Sequence, residues 1–271
     1  MKIKAKSKLE EHILSNLTPE GDFLDLEDKN VTPEHLRLLC QAGETLQKVK
    51  QLDLSNNGLG DAEIEFLSKS RCLPKLEKLF LNHNKISDSG AKILAESKLV
   101  QNISCLMLEA NQIGVNGAQS LATSLNLKNL ETLFLDSNPI GPEGAEALAR
   151  STCLPSLTAL HMDSTGIGDQ GVKAIAASQT LSKIKKLYLC SNKIGDEGAI
   201  ALSQSPNLSH LTCLSIWRNE IRDAGGKAIA ESNHFLKLER LYMSLNLIEK
   251  PTRKLIRASD MASRLKTLVM D

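Results

Sequence analysis

Leucine recurs at a fixed interval of 27 residues through almost the whole chain of 271 residues. Nine positions of this phase hold leucine: Leu52, Leu79, Leu106, Leu133, Leu160, Leu187, Leu214, Leu241 and Leu268. A further leucine, Leu24, stands 28 residues before the first of them. A fixed period of about 20 to 29 residues predicts stacked units that share one continuous core. The sequence therefore predicts a single elongated solenoid rather than two compact domains of ordinary size.

Each period contains the signals of a strand, a turn and a helix. Two leucines separated by one residue predict a short strand, with Leu79 and Leu81 in the core and Phe80 on the opposite face. An asparagine follows, and its short amide suits the backbone groups of the turn that leaves the strand. This asparagine recurs at Asn57, Asn84, Asn111, Asn138, Asn192, Asn219 and Asn246, whereas Lys29 and Thr165 occupy the same phase.

A glycine–alanine pair in most periods predicts the helix of the repeat. In the pair Gly90-Ala91, the alanine and Leu94 are three residues apart and share one helical face. The small residues predict a helix that packs close to the sheet. Parallel strands joined by helices curve into a horseshoe with a concave sheet and convex helices. The predicted fold class is therefore α/β, a right-handed βα solenoid of about nine to ten repeats.

The N-terminal segment predicts a cap over the first strand. Its apolar residues fall on one side of a helix at about residues 7–18: Leu9, Ile13, Leu14 and Leu17. We therefore divide the chain into an N-terminal capping helix within residues 1–21 and one continuous solenoid over residues 22–271.

The C-terminal repeat has the polar surface that the last unit of a solenoid needs. Arg253 stands at the position of the packing alanine, and the same helix contains Lys250, Lys254 and Arg257. A tenth strand, Leu268-Val269-Met270, comes just before the last residue. It leaves an unpaired sheet edge, which predicts either a pairing site or a trimmed chain.

The composition disfavours several classes of function. The net charge is +1, so no bulk attraction to nucleic acid or to an anionic membrane is expected. The six cysteines form no C-x-x-C pair, which favours reduced thiols in the cytoplasm. The N-terminus lacks the apolar stretch of a signal peptide, and no run of about 18 apolar residues predicts a membrane span. We expect a cytoplasmic monomer that binds neither nucleic acid nor membrane.

The repeat consensus resembles that of a known family. The segment 130–151, LETLFLDSNPIGPEGAEALARS, shows the pattern LxxLxLxxNxIGxxGAxxLA and is similar to the ribonuclease-inhibitor type of leucine-rich repeat. The resemblance covers residues from about 22 to 271 and implies a leucine-rich repeat solenoid that binds another protein. It implies a non-enzymatic module without a cofactor.

The same repeat type occurs in groups that imply different settings. It is found in sensor domains of animal innate-immunity receptors and in effectors that intracellular bacteria inject into host cells. The standalone layout resembles the bacterial group more, which implies a secreted effector acting on host proteins in the host cytosol. One class of GTPase-activating protein shares the repeat, so the alternative is a regulator of an enzyme such as a GTPase.

The concave sheet face is the predicted binding surface, and two columns of side chains point to it. The first column stands between the two core leucines of each strand: Asp25, Asp53, Phe80, Met107, Phe134, His161, Tyr188, Ser215, Tyr242 and Val269. The second lies two residues further on: Glu27, Ser55, Asn82, Glu109, Asp136, Asp163, Cys190, Trp217, Ser244 and Asp271. These columns hold five of the eight aromatic residues of the chain, and exposed aromatic residues are typical of the centre of an interface.

We predict that ten of these side chains bind the partner: Phe80, Met107, Phe134, His161, Tyr188, Trp217, Tyr242, Glu109, Asp136 and Asp163. The aromatic residues would anchor the partner and the acids would orient it, which indicates a partner with basic and apolar surface. The alternative for the aromatic residues is a framework role, because such residues suit strands and stack across a sheet. The alternative for the acids is an ordinary solvated edge.

One cluster has the residue types of a catalytic or zinc site. His161 and Asp163 lie on one strand face, and Cys190 is a diagonal neighbour of His161 on the next strand, at about 7–8 Å. Such a set contains a nucleophile, a base and an orienting acid. An open sheet supplies no oxyanion donors and no pocket that excludes water, and the spacing matches no compact zinc motif. We therefore predict no catalytic residue, no metal ligand and no cofactor.

Overall fold

The computed structural model describes residues 8–41 and 43–271, and in these residues ten parallel strands form one sheet. The strands are β1 (Phe23–Asp25), β2 (Gln51–Asp53), β3 (Lys78–Phe80), β4 (Cys105–Met107), β5 (Thr132–Phe134), β6 (Ala159–His161), β7 (Lys186–Tyr188), β8 (Cys213–Ser215), β9 (Arg240–Tyr242) and β10 (Thr267–Val269). They lie side by side in chain order. This order is that of a solenoid, in which each repeat contacts its neighbours in sequence.

Helices connect the successive strands and form a second layer. They are α1 (Lys8–Ser15), α2 (Pro33–Gln41), α3 (Asp61–Ser68), α4 (Asp88–Glu96), α5 (Val115–Ala122), α6 (Gly141–Ala149), α7 (Gly168–Ala177), α8 (Asp196–Ser203), α9 (Asp223–Ala230), α10 (Lys250–Arg257) and α11 (Asp260–Arg264). Short 3-10 turns stand at Gly43–Leu46, Lys98–Val100 and Pro206–Leu208. From α2 to α10, each helix packs on the next. Among the described helices, none has the length and apolar character that crossing a membrane requires.

Residues that are 27 positions apart in the sequence pair with each other across adjacent strands of the sheet. Leu79 pairs with Leu106 across β3 and β4, and leucine pairs with leucine in the same way up to β10. Leu24 pairs with Leu52 although 28 residues separate them, so the extra residue lies in the connection and leaves the register unchanged. The leucines of this phase are fully buried from Leu24 to Leu241. The predicted α/β solenoid of about nine to ten repeats is confirmed.

The asparagine after each strand forms a ladder of buried hydrogen bonds. Asn111 Nδ2 donates to the carbonyl oxygen of Leu81 at 2.9 Å, and Asn111 Oδ1 accepts from the amide of Ile86 at 3.0 Å. Each asparagine therefore satisfies backbone groups in the turn of the preceding repeat. Thr165 replaces the asparagine in one repeat, and its Oγ1 donates to the carbonyl oxygen of Met162 at 2.7 Å.

A second ladder, made of aspartates on the helical side, was missed by the sequence analysis. Asp169 in the first turn of α7 accepts hydrogen bonds from the amides of Gly195 at 2.7 Å and Gly198 at 2.9 Å. These bonds satisfy amide groups at the start of α8 that have no partner within the helix. The corresponding acceptors in other repeats are Asp61, Asp88, Asp196 and Asp223.

Where this aspartate is missing, the turn into the next helix changes conformation. Val115 and Pro142 occupy the aspartate phase, and the following turns contain Gly141 with φ 66° and Gly168 with φ 55°. The amide of Gly141 donates instead to the carbonyl oxygen of Thr165 at 3.0 Å. Glycine adopts this left-handed conformation without steric cost. A side-chain acceptor and a glycine turn are thus two solutions for starting the same helix.

The glycine before the packing alanine makes room for the preceding helix and turn. A Cβ atom on Gly198 would lie 2.6 Å from Asp169 Oδ1 and 2.8 Å from Ile194 Cγ2, closer than such atoms approach one another. The prediction of close packing at these small residues is right, but the closest neighbours of Gly198 belong to α7 and to the adjoining turn rather than to the sheet.

Helix α1 lies at the N-terminal end of the solenoid and contributes Ile13 to the core. The helix ends at Ser15 rather than near residue 18, and Leu17 instead forms a bridge with Leu24. Two parts of the predicted helix, residue 7 and the side chain of Leu9, lie outside the described residues.

Two arginines of α10 contact the C-terminal end of the chain. Arg253 and Arg257 donate hydrogen bonds to the carbonyl oxygens of Asp271 and Met270. The tenth strand spans Thr267–Val269, one residue earlier than predicted, and it pairs with β9 in the same register as the other strands. Arg253, which takes the place of a packing alanine, is therefore bonded to the end of the chain.

Candidate partner-binding surface

The ten residues predicted to bind a partner lie on the sheet face opposite the helices. Each first-column residue from Asp25 to Tyr242 stands between two buried core residues, and successive side chains of a strand point to opposite faces. Nine of the ten side chains are half-buried by their neighbours on adjacent strands. Trp217 is the tenth, and 37% of its surface is exposed.

Three of these residues form a stack of rings along the middle of the sheet, here called the ring stack. The centre of the His161 ring lies 3.8 Å from that of Phe134 and 4.1 Å from that of Tyr188, with interplanar angles of 25° and 13°. Register-paired residues of adjacent strands are about 4.8 Å apart, so the stack follows directly from the 27-residue phase. Phe80, Met107 and Tyr242 lie in the same column outside the stack. Stacking by itself is also what a framework role predicts.

The ring stack is uncharged at neutral pH. Burial lowers the pKa of His161 to about 4, and the nearby Lys186 ammonium acts in the same direction. Burial also raises the pKa of Tyr188 to about 12, and its hydroxyl lies 3.6 Å from Cys213 Sγ. The stack therefore presents a neutral and largely apolar strip.

Three acids of the second column form a row beside the ring stack, here called the acidic row: Glu109, Asp136 and Asp163. Asp136 Oδ1 accepts a hydrogen bond from the backbone amide of Asp163 at 2.6 Å. Asp163 Oδ1 accepts one from the backbone amide of Cys190, also at 2.6 Å. Each of these two carboxylates is therefore held in place by the backbone of the following repeat.

The electrostatics of the acidic row are unfavourable in the free protein. Burial raises the pKa of Asp136 to about 7. The hydrogen bond from the Asp163 amide lowers this pKa, and the like charges of Asp163 and Glu109 raise it. Burial raises the pKa of Asp163 as well. A nearby cation stabilises carboxylates that have lost solvation and lie beside like charges. The acidic row is thus a site that a positively charged group would stabilise.

Cys190 does not have the surroundings of a nucleophile. Burial raises its pKa to about 11, and its Sγ lies 3.0 Å from Ser215 Oγ. The side chain is therefore a thiol at neutral pH, whereas a nucleophilic cysteine needs the thiolate. Asp163 is engaged by the backbone of Cys190 rather than by the ring of His161.

A different group of side chains has the spacing of metal ligands. Within the described residues, one set of three acidic, histidine or cysteine side chains has ligand atoms within 4.8 Å of one another, and it consists of Asp25, Glu27 and Asp53. The set His161, Asp163 and Cys190 does not meet this criterion. The acidic group lies at the N-terminal end of the concave face, and exposed acids are often close together without binding an ion.

Exposed apolar side chains lie in the turns after β8 and β9; Trp217 was predicted, whereas Leu245 and Leu247 were missed by the sequence analysis. Trp217, Leu245 and Leu247 are 37%, 53% and 48% exposed and are here called the apolar patch. The amide of Arg218 donates to the carbonyl oxygen of Ser244 at 2.9 Å, so the two turns that carry the patch are adjacent. Leu245 has a positive φ of 54°, a conformation that bulky residues rarely adopt.

The signal for this patch is present in the sequence at two turn positions. The phase of Leu245 holds small or polar residues in the preceding repeats: Asn56, His83, Ala110, Ser137, Ser164, Ser191 and Arg218. The phase of Leu247 holds Gly58, Lys85, Gln112, Pro139, Gly166, Lys193 and Glu220. Only the repeat of Leu245 places large apolar side chains at both positions, which a comparison of turn residues would have detected.

Family models match the chain along these repeats. A model described as leucine-rich repeats in two copies matches residues 47–92, and a model of the single leucine-rich repeat matches residues 126–149, 153–176, 180–203 and 207–230. The chain therefore belongs to the leucine-rich repeat proteins, whose repeats are generally protein-interaction modules. No curated protein matches its sequence. The ribonuclease-inhibitor subtype stays a prediction from the repeat consensus.

Proposed function

We propose that the concave face recognises a protein partner through the ring stack, the acidic row and the apolar patch. The observation that carries this proposal is the clustering of aromatic rings beside half-buried acids on the face opposite the helices. Aromatic residues supply large apolar contact area and concentrate at the energetic centre of interfaces. The outer members of the predicted set, Phe80, Met107 and Tyr242, would extend the contact along the first column.

The rigidity of the solenoid supports the same function. In most repeats the buried asparagine ladder fixes the turn after the strand, and the aspartate ladder fixes the start of the following helix. The contact side chains therefore stand on a preordered surface, which reduces the conformational entropy lost on binding. A partner with basic and apolar surface would complement the acidic row and the two apolar regions.

The proposal extends to the setting of the protein. It describes a monomeric, non-enzymatic recognition module in the cytoplasm, without a cofactor, that contacts neither nucleic acid nor membrane. The resemblance of the repeats supports a bacterial effector that acts on host proteins in the host cytosol. Its alternative, a regulator of an enzyme such as a GTPase, uses the same concave face.

Affinity capture from a eukaryotic cell lysate tests the proposal. The wild type is compared with the triple variant Phe134→Ala/Tyr188→Ala/Trp217→Ala, after circular dichroism has shown that the variant is folded. A matched control, Leu125→Ala/Leu236→Ala, removes apolar side chains that are 81% and 67% exposed outside the concave columns. We expect a protein that is retained by the wild type and by the control and is lost from the triple variant.

The other outcomes are equally informative. Identical capture by wild type and triple variant would show that the aromatic residues are framework and that the concave face is not the recognition surface. Loss of capture only in the control would move the contact to the loops after α5 and α9 that carry Leu125 and Leu236. If the captured protein is a GTPase, its rate of GTP hydrolysis with and without the chain decides between a regulator and a passive partner.

A further inference from the structure

The concave face offers side chains to a partner, while its backbone amide and carbonyl groups are already hydrogen-bonded within the sheet. From β2 to β9, each strand pairs with a neighbour on either side. An extended peptide laid across these strands would find no ladder of backbone partners, and its own amide and carbonyl groups would stay unmatched. A helix satisfies its backbone groups internally. The face therefore favours a helical occupant.

The spacing of the strands matches the pitch of a helix. Adjacent strands are about 4.8 Å apart, and one helical turn rises about 5.4 Å. A helix that runs along the solenoid, across the strands, therefore places one side chain over each successive strand at positions i, i+4, i+7 and i+11. These positions form one face of the helix, so the fitting segment is amphipathic.

The second column defines the side chains that such a helix needs. Over four successive repeats its residues are Asp136, Asp163, Cys190 and Trp217. The two half-buried carboxylates, which repel each other and have lost solvation, complement basic side chains. Cys190 is buried and neutral and complements a small side chain. Trp217, next to the turn of Leu245, complements a large apolar one.

We propose that the occupant of the concave face is an amphipathic helix of the partner protein that carries two basic residues one turn apart and an apolar residue two turns further on. The basic residues lie over Asp136 and Asp163, and the apolar residue covers Trp217 and Leu245. A flanking apolar stripe of the helix rests on the ring stack. This inference deepens the proposed function and rests on it, because it names the chemistry of the partner segment.

Trp217 makes the test direct, since it is the only tryptophan of the chain. The probe is a synthetic, tryptophan-free helical peptide with arginine at i and i+4, alanine at i+7 and leucine at i+11 and along the flanking stripe. One comparison peptide has glutamate in place of both arginines, and another has a central proline that breaks the helix. We expect a saturable change of Trp217 fluorescence with the arginine peptide and at least tenfold weaker binding of the other two.

Variants of the protein assign the contacts. Asp136→Asn/Asp163→Asn keeps the side-chain oxygens that accept the backbone amides and removes both charges, so it should bind the arginine peptide at least tenfold more weakly. Leu245→Ser should weaken binding several-fold. The control Glu96→Gln/Glu143→Gln, on exposed positions of α4 and α6, should bind like the wild type.

Three results would overturn the inference. These are no saturable signal with the arginine peptide, equal binding of the glutamate peptide, or unchanged binding by the Asp136→Asn/Asp163→Asn variant. Equal binding of the proline peptide would show that the occupant is an extended segment and not a helix. If these peptide experiments fail, the lysate capture with the concave alanine variant still tests partner recognition itself independently.

Discussion

Asp136 Oδ1 accepts a hydrogen bond of 2.6 Å from the backbone amide of Asp163. Asn82 Oδ1 makes the corresponding bond to the amide of Glu109, at 2.9 Å, two repeats earlier. This position therefore needs an oxygen acceptor, and an uncharged amide supplies one as well as a carboxylate does. The fold does not require the negative charge of Asp136. Because burial and like charges raise its pKa to about 7, the charge is a cost to stability that a function would explain.

Replacing Asp136 by asparagine should stabilise the protein above pH 7. The pKa of Asp136 is raised to about 7 in the folded state, against about 4 in the unfolded chain. Folded Asp136 therefore binds more protons between these values, and its contribution to stability falls as the pH rises from about 4 to about 7. After allowance for partial exposure, we expect a gain of about 1–2 kcal/mol at pH 8 and none near pH 3. Urea unfolding at both pH values measures it.

The control for this variant is Glu131→Gln, at an exposed position of the same repeat. Its free energy of unfolding should differ little from that of the wild type at either pH. A similar gain in the control would assign the effect to general charge reduction. An Asp136→Asn variant that is no more stable at pH 8 than the wild type would contradict the raised pKa.

His161 should produce the opposite pH dependence. Its pKa is lowered to about 4 by burial and by Lys186, while an unfolded histidine titrates near 6.5. The unfolded chain takes up the proton first, so this contribution to stability is present above about pH 6.5 and is lost as the pH falls toward 4. Asp136 and Asp163 lie in the neighbouring column, and burial raises the pKa of both carboxyls, which gives the opposite pH dependence.

His161→Phe keeps a ring in the stack and removes this titration. We expect nearly unchanged stability at pH 7.5 and, at pH 4.5, a gain on the order of 1 kcal/mol after allowance for solvent screening. Urea unfolding at the two pH values measures the gain, and an NMR titration of the wild type locates the His161 midpoint. A midpoint near pH 6.5 would show that the imidazole is not desolvated by Phe134 and Tyr188.

The architecture was predictable because one period fixes it. Leucines at 27-residue spacing become register partners such as Leu79 and Leu106, and the alternation around Phe80 gives the direction of each side chain. The aspartate ladder was not predictable from the same pattern. Asp169 acts on Gly195 and Gly198 of the next repeat, and its role depends on where successive helices start.

The sequence predicts which residues of the candidate site lie on neighbouring strands, but it does not predict their pKa shifts. The phase alone places Phe134, His161 and Tyr188 on neighbouring strands, and the structure shows them stacked. The raised pKa of Asp136 depends on burial by adjacent strands, which a single sequence does not reveal. The two leucines of the apolar patch were not predictable from the strand pattern, because Leu245 and Leu247 lie in a turn, where alternation does not give the side-chain direction.

Gly198→Ala should destabilise the protein although alanine is the better helix former. A Cβ atom there would lie 2.6 Å from Asp169 Oδ1 and 2.8 Å from Ile194 Cγ2, so α8 would have to move away from α7. The expected loss is about 1–3 kcal/mol, measured by urea unfolding. The control is Gly60→Ala, where the nearest atom to a new Cβ, Glu63 Oε2, is 3.5 Å away and little change is expected. Equal effects of the two substitutions would contradict the packing argument.

Asn192→Ala should cause a large and local loss of stability. Asn192 is 1% exposed. Its Nδ2 donates to the carbonyl oxygens of Met162 at 2.7 Å and Cys190 at 3.2 Å, and its Oδ1 accepts from the amide of Thr165 at 3.0 Å. Alanine leaves these buried backbone groups without partners, at a cost of about 1–3 kcal/mol each. We expect a total loss of about 3 kcal/mol or more in urea unfolding.

The matched control for Asn192→Ala is Asn129→Ala. Asn129 is exposed and its Nδ2 makes a 2.8 Å bond to the carbonyl oxygen of Gln101, so its loss should be below about 0.5 kcal/mol. In a solenoid each repeat contacts its neighbours, and hydrogen exchange should therefore accelerate first in the turns after β6 and β7. Uniform acceleration from β1 to β10 would show that the asparagine ladder acts on the whole solenoid as one cooperative unit instead of repeat by repeat.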